Sequence, residues 1–270
     1  MNKSSFARFK QRLRREVLNH PVITANPYTR WFRKGNISHE QARAFLVQFS
    51  VFSNEFLFAQ LRKMVNAETI EELRASKEIL ANEIGVGYRG RTRDDDELGS
   101  LVGTVEGGTF RFGAAHFELL LRMAKSFDLT LADLGKRRFG TPETLHFCDE
   151  LMRLYGSEDY AVAEAASWSV ENWAAAGFWD ELVQGWQRFG RRQNMTGLKL
   201  TFFRWHARLE QTHAQHTWDE LECFCRERDV DDDAFIRNAN EMLDGVYVFW
   251  KGLDEQRKRL EEAPELPIAS

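Results

Sequence analysis

Apolar side chains recur every three to four residues along most of the chain, and no convincing run of strict alternation appears. A period near 3.6 residues is that of a helix with one buried face, whereas strands alternate with period two. The pattern predicts a first helix over 4–19, closed by His20-Pro21. Ser38 then stands as the cap of a long, very apolar second helix reaching 65, with Gln41 three residues on to complete a capping box. A third helix covers 68–83 and ends at Gly85. Helices are expected again over 114–127, 130–134, 141–155, 159–186, 197–226 and 231–260, with a frayed, disordered tail over 261–270.

One stretch breaks the rhythm. Residues 85–113 hold eight glycines and the acidic run Asp94-Asp95-Asp96-Glu97. Its composition predicts a long loop, and a loop of that length inside a compact domain is either functional or disordered. The acidic run reads as solvated chain.

Composition narrows the class. Only five prolines in 270 residues suit long uninterrupted helices, and 21 Phe with 8 Trp suit a wide, well-filled helical core. Repeats and Pro/Ser-rich linkers are absent, so the expectation is one all-α domain over 1–270. A net charge of −4 gives no reason to expect a nucleic-acid or membrane partner. Three cysteines (Cys148, Cys223, Cys225) are too few and too odd for a disulfide framework. Charges interrupt the N-terminal apolar residues, so no signal peptide is expected, and no stretch is read as approaching the ~18 apolar residues of a bilayer span. The expected setting is cytoplasmic, and exposed aromatics make a homodimer the expected assembly.

The chemistry concentrates in FFRWHARLEQTHAQHTWDEL, residues 202–221, which holds three of the seven histidines. With His206 set at zero and about 100° per residue, Glu210 falls near +40°, His213 near −20° and Thr217 near +20°. Phe202, Phe203 and Leu209 share that side, while Arg204, Arg208, Gln211 and Gln215 lie opposite. The His/Glu/His face is therefore the apolar one, and His216 stands at its edge. Burying ionisable groups without partners is costly, and a transition metal removes that cost because imidazoles and carboxylates are its natural ligands. The competing reading is a histidine satisfied by a hydrogen bond to Glu210.

A single helix cannot complete a coordination sphere. His116 shares its face with Leu119, Leu120, Met123 and Phe127, opposite Glu118, Arg122 and Lys125. Glu171 lies on a mostly apolar stripe with Ser167, Trp168, Ala174, Ala175 and Phe178; Ser167 is a possible hydrogen-bond partner for it, and Glu164, two turns earlier, is its understudy. Glu83 lies near Ile79 and Leu80 at a helix end. The candidate ligand set is thus Glu83, His116, Glu171, His206, Glu210 and His213. Three carboxylates and three histidines suit two ions in a helix bundle, with iron or manganese favoured over zinc.

The spacing His206-x3-Glu210-x2-His213, preceded by a helix carrying Glu171, resembles the haem-oxygenase-like diiron oxidases and oxygenases, which belong with the TenA/PqqC-type helical proteins. WFRKGNISHEQARAFLVQFSVFSNEF resembles the family's early turn and aromatic-rich helix, NEIG with AAHFELLL its Glu…His pair, and SVENWAAAGFW its middle glutamate motif. The resemblance runs over about residues 10–255. Two departures stand out. Glu210 replaces the commoner Asp, and 32 residues separate Glu83 from His116 where many members have a few, which makes Glu106 a rival first carboxylate.

What the resemblance implies is a seven-helix bundle holding two non-haem iron ions, with manganese possible in one position. It also implies O2 and an electron donor as partners and a small-molecule substrate, amino-acid-like or fatty-acid-like. Sites in that family are known to assemble when iron arrives. Trp168, Phe178, Phe202 and Phe203 are candidate pocket walls. Readings on the same architecture are a cofactor-free PqqC-type oxidase, a TenA-type hydrolase needing a cysteine nucleophile, a haem protein using His20, and a non-enzymatic interaction protein.

Overall fold

A computed structural model of the chain describes residues 3–86, 113–195 and 197–262; of these, the side chains of residues 3, 4, 82 and 209–216 lie outside the description. The expected loop over 85–113 and the tail over 261–270 therefore fall largely outside it.

Among the described residues there are eleven α-helices and no strand: α1 Lys3–Glu16, α2 Pro21–Thr24, α3 Pro27–Phe32, α4 His39–Val65, α5 Ile70–Glu83, α6 His116–Ala124, α7 Pro142–Glu150, α8 Tyr160–Ala174, α9 Phe178–Arg192, α10 Thr201–Glu227 and α11 Asp232–Glu262. The expected count of seven is corrected for local reasons. Pro21 and Pro27 each open a short helix at its first turn, where a missing N–H costs nothing. His20 Nδ1 accepts from Val22 N–H at 3.2 Å, and Asn26 Oδ1 accepts from Tyr28 and Thr29 N–H. The helix expected over 159–186 is two helices. Gly177, at φ +88°, turns the chain between α8 and α9 in a conformation side-chain-bearing residues rarely adopt. The helix expected over 130–134 is a single tight turn, Leu131–Asp133.

Other boundaries follow the expected chemistry. Ser38 Oγ accepts from Gln41 N–H at 3.0 Å and Gln41 Oε1 accepts from Ser38 N–H at 2.9 Å, closing the capping box that starts α4. Helix α4 runs through the middle of the bundle against α5, α6, α7 and α11. Its apolarity corrects the expectation about bilayer-length stretches: an 18-residue window reaches a mean hydropathy of 1.2. Of that window 56 % is buried, so the apolar run is spent on packing against neighbouring helices.

The core around α4 is aromatic. Phe45, Phe49, Phe52, Trp179, Trp186, Phe203, Phe249 and Trp250 form a continuous ring-to-ring network, with centroids at 5–6.5 Å in tilted and edge-on pairs. Each fully buried ring contributes about 1.5–3 kcal/mol of transfer energy. Phe49, Phe52 and Phe56 of α4 also line a small cavity beside this network.

Candidate metal centre

Glu83 is the last residue of α5 and His116 the first of α6. Two features bring these ends together. Gly113 N–H donates to the Gly85 carbonyl at 2.8 Å, so the chain leaves at 85 and returns at 113 side by side. Gly85 has φ +77°, and a Cβ there would stand 2.5 Å from the Gly113 oxygen, so no larger residue fits this approach. Glu118 Oε1 then accepts from Ala115 N–H at 3.1 Å, which starts α6 and points its first residue inward.

His116 is buried, and its Nδ1 lies 2.9 Å from Glu83 Oε2. The contact is close, yet it lacks the alignment of a hydrogen bond, and no other group among the described residues bonds to this nitrogen. A basic nitrogen and a carboxylate oxygen standing side by side off the N–H axis are placed as two ligands of one cation stand.

His206 comes from α10. Its Nδ1 donates to the Phe202 carbonyl at 2.7 Å. The tautomer follows from that bond: the proton sits on Nδ1 and the lone pair on Nε2. Trp179 stacks on the imidazole at 4.5 Å and 21°, and the His116 ring meets it edge-on at 4.8 Å. One ligand atom each of Glu83, His116 and His206 lies within 4.8 Å of the others. An ion with nitrogen and oxygen ligands at about 2.0–2.2 Å places those ligands up to about 4.4 Å apart. The three therefore need to close by only a few tenths of an ångström.

Half-buried Glu171, from α8, lines the same cavity. Its volume is about 60 Å³, room for a few water-sized molecules. Apart from these four ionisable residues the wall is nearly all apolar, with Phe49, Phe52, Phe56, Trp173, Trp179 and Phe202 prominent and Ser53 the polar exception. Of the four expected wall residues, Phe202 lines it, whereas Trp168, Phe178 and Phe203 pack elsewhere in the core.

The structure thus gathers Glu83, His116, Glu171 and His206 around one cavity. Glu210 and His213 lie on α10, one and two turns beyond His206, with side chains outside the described residues; Glu106 and His216 fall outside as well. On α10 the described side chains keep the expected faces, with Phe202, Phe203, His206 and Thr217 buried and Arg204 and Arg208 exposed.

Glu164 is not an understudy for Glu171. It is fully buried but paired with Lys63, whose Nζ lies 2.9 Å from its Oε2. Ser167 Oγ accepts from the same ammonium at 2.6 Å. Sequence reading missed Lys63, because RKMV at the end of the second helix looks like a solvated helix terminus. The signal was its spacing: Phe56, Gln60 and Lys63 lie three to four residues apart on one side of α4.

No described cysteine lines the cavity. Burial pushes the Cys148 and Cys225 thiols up to about 12, so neither is an activated nucleophile. His20 caps α2 and pairs with Asp244 at 3.1 Å, away from the cavity wall.

No protein-family model and no curated protein matches the chain. Solved structures do. A domain of unknown function from Shewanella denitrificans OS217, described as having a haem oxygenase-like fold, superposes with a TM-score of 0.63 at 11 % identity, over 100 % of this chain and 99 % of that one. The fold is haem oxygenase-like. A TenA homolog from Pseudomonas syringae pv. tomato DC3000 shares it with a TM-score of 0.61 at 12 % identity, covering 92 % of each chain. So does a CADD-like protein of unknown function from Nostoc punctiforme PCC 73102, at 0.61 and 12 %, covering 96 % of each. At these identities the likeness is one of fold.

Proposed function

We propose that this haem oxygenase-like chain is a non-haem diiron oxidase or oxygenase that uses O2 to oxidise a small molecule. The observation that carries the reading is the convergence of Glu83, His116 and His206 to within 4.8 Å at the wall of an apolar cavity. Donors of this kind suit iron or manganese. The fit extends to detail: the Phe202 carbonyl fixes the His206 tautomer, and His116 Nδ1 is buried without an aligned hydrogen bond.

In this reading Glu83, His116, Glu171 and His206 would hold the metal, with Glu210 and His213 as the further expected ligands. Bound iron supplies the electrons and open positions that O2 activation needs. The protein supplies the rest. The carboxylates offset the charge of the ions. The wall is mostly aromatic, and Trp179 and Phe202 keep the His206 ring from turning. With only Ser53 as a neutral polar wall residue among those described, the end of the substrate that enters the cavity is apolar. An external electron donor and a cytoplasmic setting belong to the same proposal.

The hydrolase alternative needs a thiolate in the cavity, and the described cysteines are neither there nor acidified. Anaerobic titration of the protein with Fe(II) tests the proposal. Uptake by the native chain, lost in the H116A and H206A variants, supports it, and uptake unaffected by both substitutions sinks it.

A further inference from the structure

A second buried ionic cluster lies next to the cavity. Three helices that line the cavity or carry its proposed ligands continue away from it with polar residues on the same side. On α4, Phe56 of the cavity wall is followed by Gln60 and Lys63. On α8, Glu171 is preceded by Ser167 and Glu164. On α10, the ligand face continues into Thr217 and Glu220. Gln60, Lys63, Glu164, Ser167 and Thr217 are all buried.

The three columns meet at Lys63. Its ammonium lies 2.9 Å from Glu164, 2.6 Å from Ser167 Oγ and 3.8 Å from Glu220 Oε1. It also faces the rings of Tyr155 and Tyr160 at 5.8 and 5.5 Å. Tyr155 closes a π-helical turn, Leu151–Tyr155, an irregularity that re-aims side chains and recurs at functional sites. Hydrogen-bonding capacity here exceeds what packing needs. Both amide atoms of Gln60, the Tyr155 hydroxyl and Glu164 Oε1 are buried and make no hydrogen bond among the described residues.

An ion pair this deep is a poor source of stability, since apolar residues of similar size do as well. It is suited to moving charge. We propose that Lys63, Glu164, Ser167 and Glu220 form a proton relay between solvent and the cavity, with Glu220 the outer end and Ser167 the inner. Glu220 is the outer end because its side chain keeps 29 % exposure, against 1 % for Lys63 and Glu164. Ser167 is the inner end because it lies one helical turn from Glu171, at the cavity wall.

Each transfer conserves atoms and electrons. Glu220 takes a proton from solvent. Lys63 Nζ first gives one of its own protons to Ser167 Oγ, and the neutral amine then turns its lone pair to Glu220, which rotates across its 3.8 Å gap and passes its proton over. Ser167 releases its hydroxyl proton to the cavity side in the same movement in which it takes the proton of Lys63. Lys63 and Ser167 end as they began, Glu164 holds the ammonium in place throughout, and no electron moves. Glu220 is tuned for the outer position: burial, then Glu164, raises its carboxyl to about 7 against the pull of Lys63, with Glu171 and Glu72 adding to the rise.

The relay rests on the proposed O2 chemistry, because reducing O2 consumes protons in a cavity lined mostly by apolar side chains. Its test is therefore read in two stages. Iron uptake is measured first, anaerobically, in native protein and in E220Q and S167A. Equal uptake in all three is expected. No uptake by the native chain overturns the metal reading and the relay with it. The iron-loaded proteins are then mixed with O2 and proton uptake is followed with an indicator dye. A slowing of about tenfold or more in both variants supports the relay, as does recovery of the E220Q rate on adding acetate. Native proton-uptake rates in both variants overturn the relay while leaving the metal reading intact. An independent readout needs no iron. The infrared carboxylic-acid band that titrates away near the Glu220 value of about 7 should be missing from E220Q. Its persistence there would place that proton elsewhere and remove Glu220 from the relay.

Discussion

His206 gives its Nδ1 proton to the main-chain carbonyl of Phe202, 2.7 Å away and one turn earlier on the same helix. That bond leaves the basic lone pair on Nε2 of a ring that has a ligand atom within 4.8 Å of those of Glu83 and His116. The ring is held from one side by Trp179, stacked at 4.5 Å. A histidine fixed in both tautomer and orientation loses little freedom when it takes a ligand.

Removing either imidazole should cost iron affinity rather than fold. The H116A and H206A variants should bind Fe(II) at least about 100-fold more weakly than the native chain, since lesser changes around metal ligands already cost 10–100-fold. Equilibrium dialysis under anaerobic conditions measures this. Thermal melts add a control: Fe(II) should raise the native melting temperature and leave that of H206A unchanged.

Gly85 offers a test that removes no ligand. In G85A the new Cβ would meet the Gly113 oxygen at 2.5 Å and the backbone would carry strain at φ +77°. The two chain ends should separate, and Glu83 with them from His116. Iron affinity should fall while all six proposed ligands remain, and the same titration reads the change.

Lys63 and Glu164 are each 1 % exposed, so breaking their pair strands a buried charge. The K63M variant should lose about 3–5 kcal/mol of stability. Combining it with E164L, which removes the stranded carboxylate, should restore most of the loss. Urea unfolding of the single and double variants decides between this coupling and simple additivity.

Glu220 predicts a pH dependence of fixed sign. Its carboxyl is raised on folding from 4.5 to about 7, so the folded chain holds that proton more tightly than the unfolded one. The resulting stabilisation is complete below about 4.5 and is lost as pH rises through about 7. The groups facing it are Lys63 on α4, Glu72 on α5, and Glu164 and Glu171 on α8. In E220Q the decline between these values should flatten, leaving the variant stabler relative to the native chain at pH 8 than at pH 5; denaturant midpoints at the two pH values measure it.

Much of the helical architecture was legible because periodicity and caps are local. Ser38 with Gln41 marked the start of α4, and the inward face of His116 followed from Leu119, Leu120 and Met123. Glycine and proline effects were harder to weigh. Gly177 breaks 159–186 into two helices because the chain turns through a positive φ there, and a periodic pattern on both sides carries no record of that turn. Long-range pairing was hardest. Nothing near Glu164 announces that its partner is Lys63, 101 residues away. Glu83 and His116 meet through the Gly85–Gly113 bond, a contact that depends on the fold around it.

Anaerobic titration with Fe(II), followed by rapid mixing with O2 and visible absorption, tests the metal reading most directly. Two irons per chain and an O2-dependent absorption change, both lost in H206A, are the expected result for a six-ligand carboxylate–histidine site. A native chain that takes up no iron would make Glu83, His116 and His206 a buried polar network and leave the O2 chemistry without a centre.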